Sequence, residues 1–424
     1  MKSRTLREVK DELLAWAAGF DYVCFLDSCE TETDRYGNYE FILAVADQDA
    51  ETCHSWEELR EKVEPGYDHW WFGSLTYETR CSLEPKLKST NPHRIDFPEV
   101  CFFQAETVFF QRKGSTAIEA LPSFAAYLAE GSSLPPTGLE LKTGLKSDFT
   151  RSEYVATVEA IRQHIYEGDC YEINLSQNFH AIADIQSPAS LWRKLTDISP
   201  TPFAAYAKFG EVHLMGASPE RFLQLKGDRL LTQPIKGTAP RVADPAEDAQ
   251  LLEQLRASHK DQAENVMIVD LSRNDLYRSS VVDGVSVPNL YEVQSFAKVH
   301  HLVSSVVAEK EASVSPLQAV AHAFPPGSMT GAPKVRSCEL IDAYERHARG
   351  MYAGSVGYIA PGGDFDLNVV IRSMVYQAES GVLTYQTGGA ITWDSDPEAE
   401  YEETLVKARA IEEVLNQSES RDIP

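Results

Sequence analysis

The stretch Gly168-Asp169-Cys170-Tyr171-Glu172-Ile173-Asn174-Leu175-Ser176-Gln177 decides how this chain folds. Tyr171, Ile173 and Leu175 alternate with polar residues, as a half-buried strand requires, and Gly168 can close a preceding helix in the left-handed conformation. That helix is predicted over Ser152 to Glu167, where Tyr154, Val158, Ile161 and Ile165 recur at helical spacing and Ser152 is a plausible N-cap. Outward from this junction, strands are expected at 203–209, 212–216, 221–225, 355–359, 369–376 and 382–387. Helices are expected at 247–257, 260–274, 316–322, 333–346 and 397–415. Strands in neighbouring pairs, without regular βαβ alternation, predict an α+β fold of antiparallel sheets packed as a sandwich with helices on the outside.

Residues 1–130 mix short strand-like runs, such as Phe41 to Ala46, with a few helices. Turn formers around Gly131 to Gly138 mark a linker over 131–147, followed by a strongly patterned domain over 148–416 and a tail over 417–424. The 424 residues carry 39 basic and 64 acidic side chains, a net charge of −25, which repels nucleic acid and anionic membrane surfaces. Apolar runs fall short of the roughly 18 residues a membrane span needs, and the start lacks a signal-peptide core, so a soluble, cytoplasmic protein is expected. Seven scattered cysteines without a Cys-x-x-Cys pair indicate neither a zinc site nor a disulfide framework.

Several constellations could carry chemistry. Pro234-Ile235-Lys236-Gly237-Thr238 sets a lysine between a proline-stiffened strand end and a glycine turn. Lys236 is a candidate nucleophile if its pKa is lowered, or a surface lysine in a Pro/Gly turn. On the last helix, Asp396 can cap, and Glu400, Glu403 and Lys407 share a face; the two carboxylates could hold Mg²⁺ or simply be solvated. Glu264 lies amid apolar helical residues and needs a metal or an ion-pair partner such as Arg273. Arg372, in the apolar run Val369 to Ser373, requires a carboxylate from the protein or from a ligand. Glu220 in Ser218-Pro219-Glu220-Arg221 is a further carboxylate, or half of a turn ion pair. His301 follows His300 on a strand, and Phe324 to Lys334 is a glycine-rich loop that contains Ser328 and opens a helix, where free N–H groups favour an anion. Gly388 and Gly389 follow a strand and allow close backbone approach.

Taken together, Gly168 to Gln177, Ser218 to Arg221, Pro234 to Thr238, Val269 to Asp275, Gly331 to Lys334 and Glu400 to Thr404 resemble the chorismate-utilising enzymes. That family includes anthranilate synthase component I, isochorismate and salicylate synthases, and aminodeoxychorismate synthase component I. The resemblance covers about residues 150–415 and implies the anthranilate synthase component I-like fold. It implies Mg²⁺ held by Glu264, Glu400 and Glu403, and chorismate carboxylates held by Arg372, Tyr358, Lys407 and the amides near Gly388 and Gly389. His301 and Ser328 would lie near the ring, and Glu220 would act as general acid. The lysine at position 236 resembles the aminodeoxychorismate synthases, where it adds covalently at C2 before ammonia enters at C4; the anthranilate enzymes typically carry alanine there. Lys236 would then have to be partly neutral, its pKa depressed by Mg²⁺ and Arg372. The implied partner is a glutaminase subunit supplying ammonia, since no room for such a domain of roughly 200 residues is left in the chain. The rival readings are an anthranilate synthase large subunit and a non-catalytic subunit that activates a glutaminase. Pro326 stands where the family usually has glycine, and Ala390 replaces the third glycine of a common Gly-Gly-Gly.

Overall fold

A computed structural model describes residues 4–121, 133–296 and 299–419. Two antiparallel sheets face each other. The first contains, in spatial order, the strands Gly331–Ala332, Glu172–Ile185, Val382–Ile391, Ser373–Gln377, Val212–Ser218, Phe203–Phe209, Tyr22–Asp27, Tyr39–Ala46, Thr107–Arg112 and Ile118–Leu121. The second runs from Ile235–Pro240 through Val299–Lys310, Arg229–Thr232, Arg221–Lys226, Phe365–Asn368, Ser355–Ile359, Trp71–Leu75 and Val100–Gln104 to Thr52–Cys53. Buried side chains from both sheets pack together, Ile173 and Leu175 with Leu223 and Val306 at one end, Cys24 and Ile42 with Phe72 and Val356 at the other. The outer face of the first sheet is covered by the helices Leu6–Ala17, Pro188–Ile198 and Pro397–Glu419, whose Leu14, Trp192, Leu195 and Ile411 bury against Phe25, Tyr206 and Tyr385. This is the expected α+β sandwich. No helix among the described residues is long and apolar enough to cross a membrane.

Strands from the first 130 residues complete both sheets: Tyr22–Asp27 pairs with Phe203–Phe209, and Trp71–Leu75 pairs with Ser355–Ile359. Within the predicted linker, Leu139–Leu141 and Lys146–Ser147 pair with the strand Glu172–Ile185, while residues 131 and 132 lie outside the described residues. The last helix runs into the predicted tail as far as Glu419, and 420–424 lie outside the described residues.

The helix before the opening stretch is Arg151–Glu167, and Gly168 closes it at φ +85°. Its N-cap is Thr150 rather than Ser152, because Thr150 and Glu153 satisfy each other's backbone N–H groups in a capping box. The predicted strand 369–376 is shorter, Ser373–Gln377. Val369 and Val370 are fully buried yet belong to a crossover from one sheet to the other. Its N–H groups bond irregularly, Val369 to the Glu220 carbonyl at 3.0 Å and Val370 to the Gly354 carbonyl at 2.9 Å. Burial on all sides makes such a crossover read like a strand.

Candidate active site

Lys236 sits inside the strand Ile235–Pro240, not at a strand end. Pairing with Val299–Lys310 is regular at Ile235↔Val303 and Thr238↔His301, so three steps on one strand oppose two on the other. Lys236 and Gly237 therefore form a bulge, and Gly237 takes φ +86°, where a side chain would be strained. The bulge frees the lysine from the ladder. Its Nζ donates to Glu172 Oε1 at 2.7 Å, across to the opening strand of the first sheet. Glu172 is 1% exposed, and its other oxygen, Oε2, is buried without a hydrogen-bond partner.

Burial alone would lower the pKa of Lys236, but Glu172, with Glu264 and Glu220 behind it, outweighs that and raises it. The protein's own groups thus favour the ammonium form, and the partly neutral lysine expected from sequence rests on the charge of Mg²⁺ in addition. The carboxylates of Glu172, Glu264 and Glu220 stand around the amine.

Glu220 leaves the strand Val212–Ser218 at the turn into Arg221–Lys226 and is buried. Burial pushes its carboxyl up to about 7, against the opposing pull of the Ser328 hydroxyl, the Lys236 charge and the Ile235 N–H. Ser328, in the short 3₁₀ turn Gly327–Met329, donates to Glu220 Oε1 at 2.6 Å. The glycine-rich loop thus presents a hydroxyl to the acid. Gly331, just beyond, lies so close to the Glu172 carbonyl that a Cβ would meet it at 2.0 Å.

Arg372 occupies the crossover with φ +53°, its carbonyl accepting from the Ala217 N–H at 3.1 Å. No hydrogen bond or ion pair to its guanidinium is formed among the described residues. Burial lowers its pKa, with Tyr352 and Glu403 opposing. His301 faces the same space: burial, with the charges of Arg372 and Lys407, drives its pKa down to about 3, and its Nδ1 lies 2.9 Å from the Thr238 hydroxyl. It is a neutral imidazole.

The helix Pro397–Glu419 starts as expected, with Asp396 Oδ1 accepting from the Ala399 N–H at 2.8 Å. An ideal Cβ on Gly389 would lie 3.1 Å from Glu400 Oε2 and 3.5 Å from Glu403 Oε1, so both carboxylates converge over that glycine. Gly388 is equally confined, since a Cβ there would meet the Leu175 carbonyl at 2.4 Å, and Lys407 Nζ donates to the Gly388 carbonyl at 2.7 Å. Ladder pairing of this strand with Ser373–Gln377 stops at Tyr385, leaving one backbone edge unpaired toward Gly388 and Gly389.

Glu400 is buried and its pKa is raised, chiefly by that burial and then by Glu403, against the Ser395 hydroxyl at 2.7 Å. Burial would raise Glu403 as well, but Lys407 at 2.6 Å brings it down. Glu264, on the helix His259–Tyr277, is pushed up to about 7 by burial, against the pull of Lys236, and its cation Lys260 is 3.8 Å away. Arg273, the partner considered from sequence, bonds Asp270 instead. The three carboxylates do not all close to within 4.8 Å; among the described residues only His164, Glu167 and Asp169 do so, on a partly exposed helix end.

Tyr358 is not brought to this site. Strand alternation in Ser355–Ile359 turns it into an aromatic cluster with Tyr39, Trp70 and Phe72, and Asn38 donates to its hydroxyl at 3.4 Å. Tyr352 is the tyrosine that faces Arg372 and Arg349. Sequence reading also gave Glu172 no role, although a glutamate inside an alternating apolar strand signals a buried charge. Nor did it see Glu345, which accepts from the Ser176 hydroxyl at 2.7 Å and pairs with buried Arg349 at 2.7 Å, fixing the opening strand from behind.

The profile of the chorismate binding enzyme family matches residues 16–413. The chain is 38% identical over 348 residues to the chloroplastic aminodeoxychorismate synthase of Arabidopsis thaliana, covering 76% of this chain and 38% of that protein. It is 41% identical over 275 residues to aminodeoxychorismate synthase component 1 of Salmonella typhimurium, covering 65% of this chain and 60% of that one. The chain therefore spans only about 38% to 60% of the length of these two relatives. Among solved structures it resembles anthranilate synthase component I from Streptococcus pneumoniae, with a TM-score of 0.69 and 28% identity, covering 80% of this chain and 79% of that one. The family match runs through every strand and helix that carries the cluster, and on that ground this chain belongs to the chorismate-binding enzymes.

Proposed function

We propose that this chain converts chorismate and ammonia to 4-amino-4-deoxychorismate, with Lys236 as covalent nucleophile and Glu220 as general acid. The observation that carries the reading is the pairing of a buried lysine with a buried, protonatable carboxyl. Ile235 donates its N–H to Glu220 one residue before Lys236, and Ser328 aims the other side of the acid.

The carboxylates of chorismate find an unpartnered guanidinium in Arg372 and the unpaired backbone edge at Gly388 and Gly389. Glu264, Glu400 and Glu403 suit a hard cation: burial raises the pKa of the first two for want of a close positive charge. Magnesium bound there would supply the positive charge that lets an acidic pocket accept a dianion. Glu220, protonated below about pH 7, gives its proton to the C4 hydroxyl as it leaves while Lys236 bonds to C2. Ammonia then attacks C4, the lysine departs, and Glu220 recovers a proton from the new amine. The ammonia is taken to come from a glutaminase partner. Neutral His301 can donate or accept at the ring without adding charge.

The test is to incubate the purified chain with chorismate, Mg²⁺ and excess ammonium at mildly alkaline pH, with an aminodeoxychorismate lyase in half the samples. Lyase-dependent 4-aminobenzoate is the expected product. Lyase-independent anthranilate would replace this reading with the anthranilate synthase one, and unconsumed chorismate would leave a non-catalytic subunit.

A further inference from the structure

We infer that Glu172 is the proton acceptor that turns Lys236 into a nucleophile, a role that rests on the covalent lysine chemistry proposed above. Lys236 is 9% exposed, so its ammonium has little contact with solvent. The one hydrogen bond it makes is to Glu172 Oε1, at 2.7 Å. Glu220 is engaged by Ser328 at 2.6 Å, and Ser328 stands between it and the loop. Glu172 itself is almost fully buried and has one oxygen, Oε2, with no donor. Its backbone is fixed by pairing with Gly331–Ala332 on one side and by the adjacent strand Val382–Ile391 from Ile173 onward.

The proton account closes. In the resting chain the pair is ammonium and carboxylate. As substrate settles, the proton moves from Nζ to Glu172 Oε1, leaving a neutral amine and a carboxylic acid. The amine's lone pair bonds to C2, the ring double bond shifts, and the C4–O bond breaks with the proton of Glu220 going to the leaving oxygen as water. The adduct nitrogen is then a secondary ammonium. Ammonia bonds to C4, the C2–N bond breaks, and Lys236 leaves as a neutral amine. The new C4 ammonium returns a proton to Glu220, and Glu172 returns its proton to Lys236. The sum is chorismate plus ammonia giving the amino product plus water.

The charged groups facing this pair are Glu220 from the turn before Arg221, Glu264 from the helix His259–Tyr277, Glu403 from the helix Pro397–Glu419, and Lys260 and Asp261 behind Glu264. They are unchanged in the variants used to test it. Purified parent, Glu172→Gln and Glu172→Asp chains, each checked for an unaltered melting curve, are quenched at intervals after mixing with chorismate and Mg²⁺ in the absence of ammonium. Adduct on the peptide bearing Lys236 is measured by mass spectrometry between pH 6.5 and 9.5. Glu172→Gln should form adduct about 100-fold more slowly than the parent at pH 7, the lower end of what a positioned base contributes, and that deficit, taken against the parent at each pH so that the loss of the Glu220 proton cancels, should shrink as pH rises and solvent takes over the proton. Glu172→Asp should retain part of the rate with the parent's pH profile, which a merely structural role would not give. If Glu172→Gln forms adduct as fast as the parent at pH 7, or faster, Glu172 is a clamp that keeps the lysine protonated and the inference fails. If Glu172→Gln does not fold, a Glu172→Asp chain with a reduced rate and the parental pH profile would support it, and one with the parental rate would overturn it. Absence of any adduct in the parent, with turnover kept in Lys236→Ala, would instead sink the lysine chemistry itself.

Discussion

Arg221 and its neighbour Glu220 show two ways of burying charge within one turn. The Arg221 guanidinium is fully buried and makes five hydrogen bonds, two to Asp34, two to Asp366 and one to Gln233. Asp34 comes from the N-terminal third and Asp366 from the second sheet, so the cluster ties three segments together. On the other side of the turn, charge is left incomplete: Glu220 is held near neutrality, and among the described residues Arg372 has no ion-pair partner and Glu264 only a distant lysine. Saturated charge fixes the fold, and unsaturated charge waits for a ligand. A buried charge without its partners is costly, so its persistence marks a place where stability has been given up for binding.

The sharpest way to break that contrast is to remove the nucleophile. Lys236→Ala should lose the covalent adduct entirely and reduce amination by about 10³-fold or more, measured by coupled formation of 4-aminobenzoate. An adduct persisting at another residue would move the reaction away from the bulge. Next in size, Glu220→Gln should cut kcat by about 10² to 10⁴. Activity of the parent should fall as pH rises through about 7, where Glu220 loses its proton.

The same substitution tests stability. The folded pKa of Glu220, about 7, lies above its ordinary value of 4.5, so the protonated form is favoured by folding. That stability is complete below pH 4.5 and lost as pH rises through 7, amounting to as much as about 3 kcal/mol. Glu220→Gln should therefore melt higher than the parent at pH 8 and like it at pH 4. Arg221→Ala should do the opposite to the same turn: two buried aspartates lose their cation, at a cost of about 3 to 5 kcal/mol by chemical denaturation. If Arg221→Ala were tolerated while Glu220→Gln destabilised the chain, the distinction between the two clusters would be gone.

A smaller effect is expected at the unpartnered cation. Arg372→Ala removes no protein ion pair, so its melting temperature should stay close to the parent's. Its KM for chorismate should rise about 10- to 100-fold, the loss of one charge-assisted contact to a carboxylate. A large loss of stability instead would place Arg372 with Arg221 among the residues that hold the fold.

What the sequence made legible was local. Alternation around Ile173 and Leu175, the Gly168 closure, the Asp396 cap and the shared face of Glu400, Glu403 and Lys407 are all properties of a few consecutive residues, and the structure reproduces them. What it hid was long-range or depended on a backbone irregularity. The Glu172 to Lys236 contact joins residues 64 apart on different sheets, and no spacing announces it. Lys236 reads as a turn residue because the bulge at Gly237 imitates one. The crossover at Val369 and Val370 reads as a strand because it is buried on every side. The helix Pro188–Ile198 did carry a local signal, the Ser187 cap followed by proline, and was missed as a matter of reading rather than of physics.

The smallest expected effect concerns the tyrosine that resemblance placed at the substrate. Ala353 takes φ +61°, and the chain enters the strand Ser355–Ile359 just beyond it. Tyr352 lies before that turn and Tyr358 after it, so the two rings leave on different sides: Tyr352 toward Arg372 and Arg349, Tyr358 into the packing between the sheets. The hydroxyl of Tyr358 accepts one long hydrogen bond, 3.4 Å from Asn38, which contributes at most a few tenths of a kcal/mol at that length. Tyr358→Phe keeps the ring and its aromatic contacts, so kcat/KM for chorismate should stay within about twofold of the parent. Tyr352→Phe removes a hydroxyl beside the unpartnered guanidinium and should raise KM several-fold by the same assay. The reverse order of effects would return Tyr358 to the substrate and with it the strand register on which the separation of the two clusters depends.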